Sequence, residues 1–137
     1  MIRFRNRIFC RLSVVLLVWA LLAVPARAQF TQQGSKLVGT GAIGTAGQGF
    51  SVALSGDGNT AIVGGEGDDS GAGAAWVYTR SGGVWSQQAK LVGTGAIGPA
   101  HQGSLSLAGD GNTAIVGGPG DIFHPGAAAA WMYAKSR

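Results

Sequence analysis

Short apolar stretches, separated by glycine-rich turns, run through most of the chain. Apolar residues alternate with small ones over positions 50–54, which is the period-two pattern of a half-buried strand. Positions 55–59 are dense in turn-forming residues, and the Asp-Gly pair among them favours a tight hairpin. Further strands are predicted over the β-branched stretch 60–63, over 74–79 and over 84–92. This succession predicts an all-β fold of short strands.

The pattern occurs twice along the chain. Residues 36–44 recur unchanged at 90–98, an offset of 54 positions, and residues 56–65 recur unchanged at 109–118, an offset of 53. A repeat of this length indicates an array of small supersecondary units that bury their faces on one another.

The second copy predicts strands near 104–107, 113–116 and 128–134, with no fourth strand after them. A sequence similar to the fourth strand of the first copy lies instead at 32–38, before the first repeat. Counting that segment, the chain holds eight strands in the order 4-1-2-3-4-1-2-3. The predicted fold is therefore two four-stranded sheets, with the N-terminal strand closing the first.

Residues 1–28 are predicted to be a cleaved secretory signal peptide that precedes the fold. A basic start is followed by an apolar run over 12–24, and Ala26 and Ala28 supply a small-x-small cleavage signal. The alternative is a membrane span, which needs about 20 apolar residues. The apolar run is shorter, so we expect a secreted protein, periplasmic or extracellular, with no membrane span after cleavage.

The signal peptide also changes the charge of the chain. The full sequence has 10 Lys and Arg against 6 Asp and Glu, but five of the ten basic residues lie in residues 1–28. The remaining chain carries five basic and six acidic residues, a net charge of −1. It therefore has no basic patch of the kind that binds nucleic acid. Cys10 is the one cysteine and leaves with the leader, so stability must come from packing and strand pairing.

The repeated motifs resemble the FG-GAP repeats of integrin-α-type β-propellers, especially the bacterial secreted variety. The similar stretches are 49–60, 63–65, 76–78 and 80–85, and residues 117–119 read Gly-Gly-Pro where the family has Gly-Ala-Pro. The resemblance covers nearly all of residues 29–137, as two repeats of approximately 36–89 and 90–137. It implies that each four-stranded sheet is a propeller-type blade.

Two blades are fewer than the roughly 4 to 8 that close a propeller. An isolated pair would leave exposed strand edges and uncovered apolar faces. We therefore expect a partial propeller that is completed by a homo-oligomer or by a partner chain. Two alternatives stay open: the sheets pack on each other as a small sandwich, or the chain is a shortened relative that folds poorly.

Calcium is the cofactor that the resemblance implies, because many integrin-type blades hold the ion in an Asp-rich loop. Calcium requires six to eight oxygen ligands. The loop with Glu66, Asp68 and Asp69 offers the most oxygens and is the candidate metal site. Asp57 and Asp110 lie in shorter Asp-Gly-Asn sequences, where hydrogen bonding to the turn backbone is the favoured interpretation.

Catalytic chemistry has little support in the sequence. His101 and His124 are the two histidines, neither occurs in the other copy, and no nucleophile–base or metal-ligand spacing accompanies them. Both are interpreted as surface-loop histidines. Trp76 and the equivalent Trp131 suit sugar or partner binding on an exposed face, but packing between the sheets is the favoured interpretation.

We expect a non-enzymatic, secreted repeat protein that binds a protein or cell-surface ligand, with calcium as an optional aid. The inference from fold to binding is an analogy, since folds host many functions. Two alternatives are a non-catalytic accessory fragment of a secreted hydrolase and a truncated propeller with no independent function.

Overall fold

The computed structural model describes residues 28–120 and 128–136. The predicted signal peptide, apart from Ala28, lies outside the described residues, and so does the segment 121–127 with His124. The elements in chain order are β1 (Ser51–Leu54), β2 (Thr60–Gly65), α1 (Asp68–Gly71), β3 (Ala74–Ser81), β4 (Val84–Leu91), β5 (Ser104–Leu107), β6 (Thr113–Gly118) and β7 (Ala129–Ala134). The prediction of an all-β fold is confirmed.

The first sheet contains β1 to β4 in chain order, and each neighbouring pair is antiparallel. In the turn between β1 and β2, Gly58 has a φ of +69° and its N–H donates to the carbonyl of Ser55. Glycine takes this left-handed conformation without a steric penalty. A register shift between Val77 and Tyr78 interrupts the pairing of β3 with β4, and such bulges increase the local twist.

The second sheet contains β5, β6 and β7, again antiparallel and in chain order. Its register repeats that of the first sheet, since Val116 faces Trp131 as Val63 faces Trp76. Among the described residues no fourth strand lies beside β7. The described part of this sheet therefore has three strands where the sequence predicted four.

The strand predicted over residues 32–38 is wrong, because these residues form no strand. The position beside β3 that a fourth strand would occupy is already taken by β4, which follows β3 directly in the chain. Residues 33–38 instead line a cleft together with Tyr78 and Trp85 of the first sheet. The segment thus covers the sheet without joining it.

Each sheet has two faces, because successive residues of a strand point in opposite directions. We call the face that carries Trp76 or its equivalent Trp131 the front face, and the opposite face, which carries Ile62 or Ile115, the back face. One buried cluster joins the back face of the first sheet to the front face of the second. Its members are Ile62, Ala75, Ala114 and Val116, with Ala53, Val77, Leu91, Leu105, Leu107 and Tyr133 packed against them. The two repeats therefore stack back to front.

A second cluster lies on the front face of the first sheet, where the chain before β1 covers it. Ala46 packs there with Trp76, which is completely buried. The side-chain amide of Gln48 accepts from the N–H of Gly39 at 2.6 Å and donates to the Gly39 carbonyl at 2.9 Å. The indole Nε1 of Trp76 donates to the carbonyl of Thr40 at 3.0 Å. We call these four residues, Gly39, Thr40, Gln48 and Trp76, the first clasp.

The same arrangement occurs over the second sheet. Gln102 accepts from the N–H of Gly93 at 2.6 Å and donates to its carbonyl at 3.2 Å, and Trp131 Nε1 donates to the carbonyl of Thr94 at 2.9 Å. We call Gly93, Thr94, Gln102 and Trp131 the second clasp. Trp76 is a core residue, as predicted, but it is buried under its clasp and not between the two sheets.

The clasp glycines leave room for the indoles, which gives a testable prediction. A Cβ on Gly93 would overlap the ring of Trp131, whereas a Cβ on Gly109 would meet no heavy atom within 4 Å. We expect Gly93→Ala to lower the free energy of unfolding by about 1–3 kcal/mol through overpacking. Gly109→Ala is the matched control and should change it little or raise it slightly. Urea unfolding of both variants measures the difference, and equal midpoints would contradict the clasp geometry.

None of the helices within the described ranges is long and apolar enough to cross a membrane.

Candidate functional site

The hairpin turn between β1 and β2 is organised by one carboxylate. Asp57 Oδ1 accepts from Ser55 Oγ at 2.5 Å and from the Asn59 N–H at 2.9 Å, and Asp57 Oδ2 accepts from Asn59 Nδ2 at 3.1 Å. Asn59 Oδ1 in turn accepts from Nε and Nη2 of Arg80, both at 3.2 Å. This is the local side-chain-to-backbone bonding that Asp and Asn favour in turns.

The equivalent turn between β5 and β6 lies beside the first one. Asp110 Oδ1 accepts from the N–H of Asn112 at 3.0 Å, as Asp57 does from Asn59. The N–H of Gly56 donates to the carbonyl of Gly109 at 2.8 Å, which joins the two turns directly. We call residues 55–59 and 108–112 together the turn edge. It presents two Asp-Gly-Asn sequences side by side, with the Asp and Asn residues of both exposed.

The turn hydrogen bonds keep Asp57 ionised. Bonds from Ser55 and then from Asn59 lower the pKa of Asp57 from 3.8 to about 2. Because the pKa of Asp57 is lower in the folded chain than in the unfolded chain, its ionised carboxylate stabilises the folded state at pH values above the unfolded-state pKa. This stabilisation is lost as the pH falls towards the folded-state pKa. The turn edge therefore carries the Asp57 charge throughout the neutral and mildly acidic range.

This pKa gives a prediction about acid stability. The melting temperature of the protein should exceed that of the Asp57→Asn variant at pH 5, because the variant has no carboxylate to ionise. The difference between the two should shrink between about pH 4 and pH 2, as Asp57 is protonated. Melting curves followed by circular dichroism across this range measure it. A difference that stays constant from pH 5 to pH 2 would contradict the assigned turn.

The predicted acidic loop contains a buried ion pair. Asp68 is almost completely buried, and its Oδ2 lies 2.5 Å from Lys90 Nζ. Asp68 Oδ1 accepts from the N–H of Ile43 at 2.8 Å, and the N–H of Asp69 donates to the Ile43 carbonyl at 3.0 Å. Asp69 itself is exposed and has a φ of +47°. The loop thus joins β4 to the part of the chain that lies between Thr40 and Gln48 of the first clasp.

These residues do not fit a calcium ion. The Asp68 carboxylate is engaged by the Lys90 ammonium, which would oppose a bound cation, and only Glu66 and Asp69 remain nearby in sequence. Within residues 28–120 and 128–136, no three His, Cys, Asp or Glu side chains come close enough to hold a metal. Asp57 and Asp110 lie in the turn edge, where Asp57 accepts from Ser55 and Asn59 and Asp110 accepts from Asn112.

The geometry predicts that calcium leaves the stability of the protein unchanged. A ligand that binds the folded state must raise the melting temperature. We expect the same melting temperature in millimolar calcium chloride as in EDTA, with magnesium chloride at equal concentration as the ionic-strength control. A calcium-specific increase would show that the acidic loop rearranges around the ion.

Two clefts of similar size lie at equivalent places in the repeats. A cleft of about 380 Å³ is lined by Tyr133 and by Leu91 of β4, and one of about 370 Å³ is lined by Tyr78 and by Leu37. The hydroxyls of Tyr78 and Tyr133 are buried without a hydrogen-bond partner, and burial raises the pKa of both phenols. Residues 33–38 therefore lie against the first sheet in the same way that β4 lies against the second.

Within residues 28–120 and 128–136, the remaining candidate residues make only local contacts. His101 has a φ of +52°, and its N–H donates to the carbonyl of Gly71 at 2.8 Å, which makes it part of the connection before β5. Trp85 lies under the guanidinium of Arg80, whose Cζ is 5.5 Å from the ring centroid. These contacts hold neighbouring segments together.

No family model, no curated protein and no solved structure matches this chain.

The clasps and the buried ion pair were missed by the sequence predictions. A Gln-Gly pair occurs at the equivalent place in both copies, with Gln48 in the first and Gln102 in the second. The repeat itself therefore carried a signal for the clasps. Lys36 is the repeat equivalent of Lys90, but among the described contacts the ion pair with Asp68 is formed by Lys90. That difference depends on the three-dimensional path of the acidic loop and leaves no local pattern in the sequence.

Proposed function

We propose that this chain is a secreted, non-enzymatic repeat protein of the FG-GAP, β-propeller type that binds a protein or cell-surface ligand at its turn edge. The observation that supports the proposal is the pairing of the two Asp-Gly-Asn turns, whose backbones are joined from Gly56 to Gly109. Loops held on a rigid scaffold are the usual place for binding residues. The back-to-front stack of the two sheets provides that scaffold.

Charge and hydrogen bonding define what the turn edge can recognise. Asp57 and Asp110 supply two exposed carboxylates, and Asn112 adds an amide beside them. The low pKa of Asp57 keeps that negative charge at any pH above about 2. A ligand with hydroxyl or cationic groups would complement this edge. We therefore favour a hydroxylated or basic surface as the ligand.

Binding to intact cells tests the proposal. Fluorescently labelled protein should bind cells of its source organism saturably, and excess unlabelled protein should displace it. The double variant Asp57→Asn, Asp110→Asn keeps the acceptor oxygens but removes both charges, and it should bind several-fold more weakly. Asp69→Asn is the matched control, because it makes the same change at an exposed carboxylate away from the turn edge.

Two results would overturn the proposal. Equal binding by the double variant and by the control would remove the turn edge from the site. Hydrolysis of chromogenic ester, glycoside or phosphate substrates above the level of a heat-denatured sample would contradict the non-enzymatic assignment.

A further inference from the structure

Apolar side chains remain exposed on the two outward faces of the stack. On the front face of the first sheet, Val52 and Leu54 are 69% and 57% exposed. On the back face of the second sheet, Ile115 and Met132 are 41% and 66% exposed. Contiguous exposed apolar surface marks an interaction site more often than scattered single residues do. The pattern of these residues along the repeat identifies what covers them.

Each of these exposed residues has a repeat equivalent inside the protein. Leu105 and Leu107 occupy the positions of Val52 and Leu54, and both pack in the cluster between the sheets. The exposed residues of the back face follow the same rule. Ile115 and Met132 occupy the positions of Ile62 and Val77, which belong to that same cluster. The two outward faces are therefore the two halves of an interface that the protein already forms once.

The free edge of the second sheet also has a repeat equivalent that is paired within the protein. In the first sheet β4 pairs with β3, with Leu91 opposite Ala75. Among the described residues the equivalent edge of β7 has no neighbour. Leu37 is the repeat equivalent of Leu91, and it lies outside any strand, in the segment that covers the first sheet. The missing strand and the sequence that resembles it thus lie at opposite ends of the stack.

The first clasp shows that this segment is already in the required place. Gly39 is bonded to Gln48 at the same 2.6 Å as Gly93 is to Gln102, and Gly93 lies two residues after the end of β4. The chain that precedes Gly39 consequently approaches the first sheet as β4 approaches the second. A further sheet that stacks on the front face of the first sheet would therefore meet its fourth strand in this segment.

We infer that the protein binds a second copy of itself head to tail. The back face of the second sheet of one copy stacks on the front face of the first sheet of the next copy. Residues 35–38 of that next copy pair with β7 as its fourth strand. By repeat equivalence, Leu37 of one copy lies opposite Ala130 of the other, and Lys36 lies opposite Trp131.

A second copy of the chain is favoured over a different partner, because the two outward faces are the repeat equivalents of the two faces that already pack on each other within one copy. One contact covers the apolar faces and pairs the free edge, which are the two defects of an isolated pair of sheets. The contact is heterologous, so it closes a ring if the rotation per copy allows it. With two sheets per copy, a ring of propeller size takes about two to four copies. The inference rests on the propeller type assigned in the proposed function, but leaves the turn edge free for a ligand.

Disulfide trapping between two singly substituted chains tests the pairing. The full-length chain carrying Cys10→Ser has no other thiol, so Leu37→Cys and Ala130→Cys each introduce one. Directly opposed residues of antiparallel strands have Cα atoms about 4.5–5.5 Å apart, which a disulfide can bridge. We expect the mixture, under mild oxidation, to give several-fold more covalent dimer than either variant alone.

A control variant separates specific pairing from random collision. Ile97→Cys introduces a thiol at a highly exposed side chain in the connection between β4 and β5, outside the strands of both sheets. Mixing it with Ala130→Cys should give the background level of dimer. Trapping of Leu37→Cys with Ala130→Cys at that background level would overturn the proposed strand pairing.

Native mass spectrometry tests the assembly without cross-linking. The unsubstituted protein should show one discrete multiple of the chain mass at micromolar concentration, and Met132→Asp should shift it to the single-chain mass. Met132 is exposed, so this variant should keep its fold, which circular dichroism checks. A single-chain mass for the unsubstituted protein, or an unchanged multiple in Met132→Asp, would overturn the inference. Cell binding by a single-chain species would leave the proposed function standing, whereas an assembled protein without cell binding would remove the proposed function alone.

Discussion

Lys90→Met is expected to lower the free energy of unfolding by about 3 kcal/mol, because it leaves a buried carboxylate without its cation. Asp68 is 1% exposed, and its Oδ2 lies 2.5 Å from Lys90 Nζ. The same ammonium donates to the carbonyl of Gly41 at 2.7 Å and lies 5.5 Å from the ring centroid of Trp76. One substitution therefore weakens the acidic loop, the first clasp and the end of β4 together. Urea unfolding followed by tryptophan fluorescence measures the loss.

Lys36→Met is the matched control when both lysine substitutions are compared in the single-chain Met132→Asp variant, since Lys36 is the repeat equivalent of Lys90 but is exposed in one copy of the chain. We expect a change within about 0.5 kcal/mol, as for most surface substitutions. Adding Asp68→Asn to Lys90→Met should recover part of the loss, because the uncompensated charge is removed. Equal effects of the two lysine substitutions would contradict the buried ion pair.

Trp76→Ala is expected to cost about 4 kcal/mol, since it opens a cavity beneath the first clasp. Trp76 is completely buried, and its indole packs with Ala46 and fills the space that Gly39 and Gly65 leave by having no Cβ. The hydrogen bond from its Nε1 to Thr40 is lost as well. Chemical unfolding monitored by far-ultraviolet circular dichroism measures the change in a variant that has lost a fluorophore.

Two companion variants separate the contributions to this loss. Trp76→Phe keeps most of the ring volume and removes the hydrogen bond, so it should cost distinctly less than Trp76→Ala, with about 1 kcal/mol of its cost from that bond. Trp131→Ala should cost less than Trp76→Ala, because Trp131 is only half-buried in the second clasp. A larger loss at Trp131 than at Trp76 would contradict the observed burial.

The strand positions followed from local sequence, whereas the role of the N-terminal segment did not. Alternation and turn residues located β5 at its observed bounds, Ser104–Leu107, and located β1 to within one residue. Residues 32–38 have the sequence of a fourth strand, but a strand also needs a free neighbouring edge. In the first sheet β4 has that place, and no pattern within the segment reports this.

The candidate site residues also show that local contacts follow from the sequence more readily than contacts between distant segments. The sequence predicted turn hydrogen bonding for Asp57 and Asp110, and each carboxylate accepts from the N–H two positions later, which is a local Asx contact. The acidic loop was harder, because the partner of Asp68 is Lys90, which lies 22 positions away. Ligand counting along the sequence cannot show that a carboxylate is already paired. Contacts within a repeat are thus readable from sequence, and contacts between distant loops are not.

The scaffold for the turn edge and the proposed head-to-tail assembly both depend on the back-to-front stack of the two sheets. Methyl NOEs in selectively labelled protein test this stack. We expect NOEs from the methyl groups of Ile62 to those of Ala114 or Val116, which share its buried cluster. We expect none between the Trp76 indole and Val116, since these lie in separate layers. NOEs from Trp76 to Val116, with none from Ile62, would show instead that the sheets pack front to front.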